Sequence, residues 1–198
     1  TDSIENLSTY LKDQPEGKHA REAAFYIARS NLENKEYEGS GESFAMLSQG
    51  DGQIAAQASL WQARVLTRSE KNYDKASEIL SDALERFSDS SIVTDIRYDL
   101  ANSLMGKKTP DWKSALALLI EVEKDEGFNQ LAELTNQKSV CQHRLTDYEG
   151  SLASTNEYIK NFPNTKLFQA ALFLKAENLF LLKRTEEAAV AYDTYLQA

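Results

Sequence analysis

The 198-residue chain is 41% hydrophobic and 27% charged, with only eight Gly and three Pro, too few turn-makers for the many tight turns of a β-sandwich or barrel. Its single cysteine rules out a disulfide scaffold, its composition rules out collagen and low-complexity disorder, and no run reaches the roughly 18 apolar residues of a membrane-spanning helix. Lys plus Arg total 22 against 31 Asp plus Glu, a formal charge of −9, which disfavours nucleic acid and anionic lipid as partners, since both are held by neutralising phosphate. The densest basic stretch, Arg64, Arg68, Lys71 and Lys75, is interrupted by Glu70 and Asp74 and reads as solvated surface. With no initiator Met and no charged-then-apolar leader, the sequence reads as a mature or excised piece.

Taken in order, the elements are paired amphipathic helices, about eleven in all. Residues 1–16 read as a lone second helix, with Ser3, Leu7 and Tyr10 on one face and Pro15 ending it. The first complete pair, 17–51, carries Ala28 behind Phe25 and Ile27, a short Glu33-Asn34-Lys35 link, then Tyr37, Ser40, Phe44 and Leu47. The second, 52–88, repeats this with Leu60, Trp61 and Ala63, then Tyr73, Ala76, Leu80 and Ala83. In the third, 89–126, Tyr98, Leu100 and Ala101 precede a longer link, Gly106 to Asp111, and then Trp112, Ala115, Leu119 and Val122. The fourth, 127–164, has Ser139, then Tyr148, Ser151, Thr155 and Tyr158, with Pro163 as its stop. It carries Thr135, Lys138, Ser139 and Gln142 where apolar residues are expected, so its register is the least secure. The fifth, 165–198, has Phe173, Leu174 and Ala176, the link Lys183-Arg184, then Thr185, Ala188, Tyr192 and Tyr195.

The small residues Ser3, Ser40, Ala76, Ala115, Ser151 and Ala188 follow one another at steps of 37, 36, 39, 36 and 37. Small residues on both helices let two backbones approach, bulky neighbours fill the space around the crossing, and short links force antiparallel hairpins.

A helix pair with small residues at its crossing, an aromatic opening its second helix and Pro at its end resembles the tetratricopeptide repeat (TPR). The clearest copy holds Leu172, Ala176 and Leu179, then Glu186-Glu187-Ala188 and Tyr192. Tyr158-Ile159-Lys160-Asn161-Phe162-Pro163-Asn164 and Tyr10-Leu11-Lys12-Asp13-Gln14-Pro15 resemble the repeat-ending phrase of bacterial cell-envelope members, the outer-membrane assembly lipoproteins and the Tol–Pal coordinators. The family's first-helix Gly is Ala or Ser throughout. The resemblance implies an all-α, right-handed α-solenoid forming one domain over 1–198, cut from a longer array. It also implies a periplasmic or outer-membrane-associated setting in a bacterium, with a cytoplasmic one as the alternative.

In that family the first helices line a concave face that grips a partner protein or peptide. Its register places Phe25, Arg29, Leu60, Arg64, Tyr98, Asn102, Asn136, His143, Phe173, Glu177 and Phe180 there, with packing between repeats as the competing role for each aromatic. Phe25 and Arg29 stand where the cytosolic co-chaperones carry their carboxylate-clamping Lys and Asn, so that clamp is not expected. No catalytic residue, metal or cofactor is expected. Cys141 and His143, two apart on a helix, point to different sides, and Gly39-Ser40-Gly41 follows no strand and makes no phosphate loop. The expected function is a non-catalytic interaction scaffold in cell-envelope assembly. The alternative is an accessory or oligomerising segment of a larger enzyme or secretion or export machine. On either reading, self-association through uncapped terminal repeats is a further expectation.

Overall fold

The computed structural model describes residues 2–198, and all regular structure among them is helical. Eleven α-helices follow in order: α1 (Asp2–Asp13), α2 (Ala20–Glu33), α3 (Tyr37–Ser48), α4 (Gly52–Val65), α5 (Tyr73–Arg86), α6 (Val93–Gly106), α7 (Trp112–Val122), α8 (Leu131–Arg144), α9 (Tyr148–Asn161), α10 (Phe168–Leu181) and α11 (Thr185–Gln197). The chain divides into two compact units, Thr1–Thr109 and Pro110–Ala198. The division falls inside the long link of the third repeat, whose first helix α6 lies in one unit and whose second helix α7 lies in the other.

The small-residue columns do the packing work that the sequence assigned to them. Ser40, Ala76, Ala115, Ser151 and Ala188 are buried, as are Ala28, Ala63, Ala101, Ser139 and Ala176 on the first helices. The side chain of Ser3, the sixth member of the first column, lies outside the described residues. In the first unit each helix packs on the next, and the first helices α2, α4 and α6 also touch in succession. Phe25, Ala28 and Leu32 of α2 meet Phe44 and Leu47 of α3 and Ala58 and Val65 of α4, with Trp61 at the edge. The Phe25 and Phe44 rings meet edge-on at 5.7 Å.

Arginines close the end of α3, whose last carbonyls have no partner within the helix. Arg21 donates to the Leu47 carbonyl at 2.8 Å, and Arg86 donates to those of Ser48 at 3.1 Å and Gly50 at 2.8 Å. Gly106, ending α6, lies under the Tyr73 ring that opens α5, where a Cβ would stand 2.5 Å from the ring. Asn72, Asp111 and Asp147 cap α5, α7 and α9 by accepting from backbone N–H groups of the first turn. Two residues before α3, α5, α9 and α11 the backbone turns left-handed, at Lys35 (φ 68°), Lys71 (54°), Thr146 (64°) and Lys183 (63°).

In the second unit, Leu152 of α9, Ala176 and Leu179 of α10 and Ala188 and Ala191 of α11 form one apolar cluster. The polar residues that depart from the expected pattern in the fourth repeat find partners: Thr135 donates to the Leu131 carbonyl of its own helix at 2.8 Å, and Lys138, Ser139 and Gln142 meet groups outside α8. The Ser151 hydroxyl donates to the Ser139 carbonyl at 2.8 Å and accepts from the Asn178 amide at 2.8 Å. The Asn178 carbonyl faces His143 Nδ1, again at 2.8 Å. Gln142 meets the Ser154 hydroxyl at 2.8 Å, and Lys138 reaches Glu123 at 2.5 Å. Asn178 is completely buried, so these partners offset a desolvation cost that an unpaired amide would carry in full.

Candidate functional site

In the first unit the first helices bring several charged side chains onto one aromatic plate. Trp61, Arg64 and Arg68 are spaced three and four apart, which sets them on one helical side. Trp61 is half-buried against the α2–α3–α4 core. The Arg29 guanidinium, from α2, lies 4.6 Å from its ring centroid, Arg64 lies 4.8 Å away and Arg68 5.9 Å away. All three are within the range in which a cation is drawn to an indole face.

From α6, Asp99 takes Arg64 Nε at 2.5 Å, and Asp95 stands 3.9 Å from the same guanidinium. Burial pushes the Asp99 carboxyl above its ordinary value, and the charge and hydrogen bond of Arg64 work against that shift without cancelling it. The side chains of Arg64 and Asp99 are only 22% and 18% exposed. Arg29 makes an exposed contact with Glu33 at 3.6 Å.

Arg68 owes its place to an irregularity. After Val65 the helix widens into a five-residue π-helical turn, Leu66–Glu70, closed by left-handed Lys71. Hydroxyls satisfy carbonyls at this turn: Thr67 donates to Arg64 O at 3.1 Å and Ser69 to Val65 O at 2.8 Å. The extra turn carries Arg68 beyond the end of α4 while keeping it over Trp61. Such inserts are frequent at functional sites.

The structure sorts the residues assigned to the inner face. Arg29 and Arg64 meet at Trp61 as described. Phe25, Leu60 and Tyr98 do not line a surface, being only 3%, 3% and 5% exposed. Phe25 is covered by the following first helix, through Ala58 and Trp61, so for these residues the packing role prevails over the partner-facing one. Asn102 and Asn136 are half-buried. In the second unit His143 turns to Asn178 and meets the Tyr148 ring at 5.6 Å. Phe173 and Phe180 are 43% and 53% exposed. Phe173 lies against Tyr195 at 5.4 Å and Tyr192 at 6.2 Å. The Tyr192 hydroxyl donates to Glu177, and that hydrogen bond, ahead of burial, pushes the phenol up to about 12.

Trp61, Arg68, Asp95 and Asp99 are the members of the first-unit cluster that do not stand among the expected inner-face residues. By its place in the repeat Trp61 reads as filler beside Ala63, and Arg68 reads as solvated surface. The signal available was the Trp61, Arg64, Arg68 spacing. Cys141 is buried, its thiol pushed up to about 12 by desolvation, a state opposite to that of a reactive thiolate. Among the described residues no three His, Cys, Asp or Glu side chains gather as a metal site, and no helix is long and apolar enough to cross a membrane.

No known protein-family profile matches this sequence, and no curated protein matches it. Solved structures do match. YrrB, described as a TPR protein with an unusual peptide-binding site, superposes with a TM-score of 0.79 at 16% identity, over 98% of this chain and 92% of that one. A crystal structure of MamA gives 0.74 at 12% identity, over 91% and 92% of the two chains. MamA from AMB-1 gives 0.71 at 15%, over 88% and 96%. At these identities the likeness concerns the backbone, and it shows that this all-helical chain has the solenoid fold of tetratricopeptide-repeat proteins.

Proposed function

We propose that the chain is a non-catalytic interaction scaffold that holds a peptide or helix of a partner protein on the first-helix face of its first unit, in bacterial cell-envelope assembly. The observation that carries this reading is the gathering of Arg29, Arg64 and Arg68 around Trp61. Tryptophan and arginine are the residue types that most often anchor an interface, and here three helices hold them in place before any partner arrives. The fold likeness to YrrB, which has a peptide-binding site, supports the class of activity. The repeat-ending phrases at Tyr10–Pro15 and Tyr158–Asn164 support the cell envelope.

The test is affinity capture from separate periplasmic and cytoplasmic fractions, comparing the natural chain with a double Arg29→Glu, Arg68→Glu variant whose helicity is checked by circular dichroism. The expected result is a periplasmic protein retained by the natural chain and lost by the variant. Equal retention by both would remove the face, and a partner found in the cytoplasmic fraction alone would remove the compartment.

A further inference from the structure

We infer that the partner segment received at Trp61 is acidic, and that Arg29 and Arg68 take two of its side-chain carboxylates. This rests on the scaffold reading above and names the chemistry of its ligand. The three arginines are not equivalent. Arg64 is committed, since Asp99 and Asp95 hold it from α6, and its role is to fix the plate and its neighbours. Arg29 is held by the indole at 4.6 Å and by Glu33 at 3.6 Å. The latter is an exposed contact one helical turn away, of a kind too weak to compete with a well-placed incoming carboxylate. Arg68 is exposed and makes no ion pair within 4 Å among the described residues.

A guanidinium resting against an indole face gives up none of its five N–H donors to the ring. Its rotamer freedom is already reduced, so a carboxylate docking in the plane of the fork meets donors that are largely preorganised. Two such forks on one aromatic plate, with the third neutralised from behind, make a site for two acidic side chains beside an apolar contact. The overall charge of −9 narrows the occupant further. A long polyanion would meet repulsion from the rest of the molecule and find too few cations to offset it. A short acidic stretch of a protein meets the local cluster and little else.

The test uses the 198-residue chain and three short fluorescein-labelled peptides, acetylated and amidated so that no terminal charge contributes. They are identical except for Glu, Gln or Lys at the same positions. Fluorescence anisotropy is expected to show the Glu peptide binding on the order of tenfold more tightly than the Gln peptide, a difference one or two charge-assisted contacts supply. Arg29→Gln and Arg68→Gln are each expected to weaken the Glu peptide by roughly threefold to tenfold and to leave the Gln peptide unchanged. Both changes lie on accessible side chains, and thermal melts will show whether the fold is intact.

Equal binding of the Gln or Lys peptide, or no binding of any, would overturn the proposal. A Lys or Gln peptide preferred by the natural chain and weakened by the same substitutions would overturn the acidic assignment while the binding face stands. Full Glu-peptide affinity in the double Arg29→Gln, Arg68→Gln variant would overturn both.

Discussion

Arg64 shows how one residue joins stability to the candidate site. Its guanidinium rests by Trp61 and bonds Asp99 at 2.5 Å, so replacing it by Ala exposes the indole and strands a carboxylate in a poorly solvated place. The expected loss is about 3 kcal/mol at neutral pH. The pH dependence has a definite sign. Asp99 titrates higher in the folded chain than in the unfolded one, so its proton stabilises the folded state, and that contribution disappears as pH rises through the folded value. Without Arg64 the carboxyl rises further, and the penalty of Arg64→Ala therefore shrinks as pH falls and Asp99 takes up its proton. Urea denaturation of both chains across the acidic range checks this, and a pH-independent difference would contradict it. The sequence sets Arg64 both in a run of mixed, solvated charge and on the expected inner face, without a partner. Nothing within that run indicates a carboxylate 35 residues away, because a charge pattern records neighbours along the helix and not across it.

At the scale of elements, the helix pairs were legible because burial imposes a 3.6-residue period that survives in the sequence. The joints between them were less so. Four links turn through a left-handed residue at Lys35, Lys71, Thr146 and Lys183, where sequence punctuation offers no glycine to mark it. Thr146 is the costliest occupant, since a β-branched side chain crowds this conformation most. Thr146→Gly is expected to stabilise the chain by about 0.5–1 kcal/mol, the relieved strain exceeding the added unfolded-state entropy. A shift of the urea midpoint upward with an unchanged slope would show it, and a downward shift would mean that the threonine side chain makes a contact worth more than the strain. The α8–α9 interface was illegible for another reason. Ser139, Ser151 and Asn178 are matched to one another across three helices, and a period of apolar residues cannot register polar groups that satisfy each other.

For the whole molecule, the register predicted the helical fold well, and it set on one expected face residues that the structure buries beside residues that it exposes. Phe25, Leu60, Tyr98 and Phe173 share one position in the repeat, three residues before the small residue of the first helix. The first three are buried, and Phe173 is 43% exposed. An apolar column looks the same in sequence whether a neighbouring helix or a partner covers it, so core and groove were read together. The charged positions separate the two, because Arg29 and Arg68 stay at the surface while their attachment to Trp61 is internal. The central claim is that this first-unit surface meets the partner. Site-specific photo-crosslinking in cells tests it most directly, with the reactive side chain placed at position 29, at position 68, or at Glu78, an exposed residue of the second helix α5. The account predicts a partner adduct from positions 29 and 68 and none from 78; an adduct from 78 with none from 29 or 68 would contradict it.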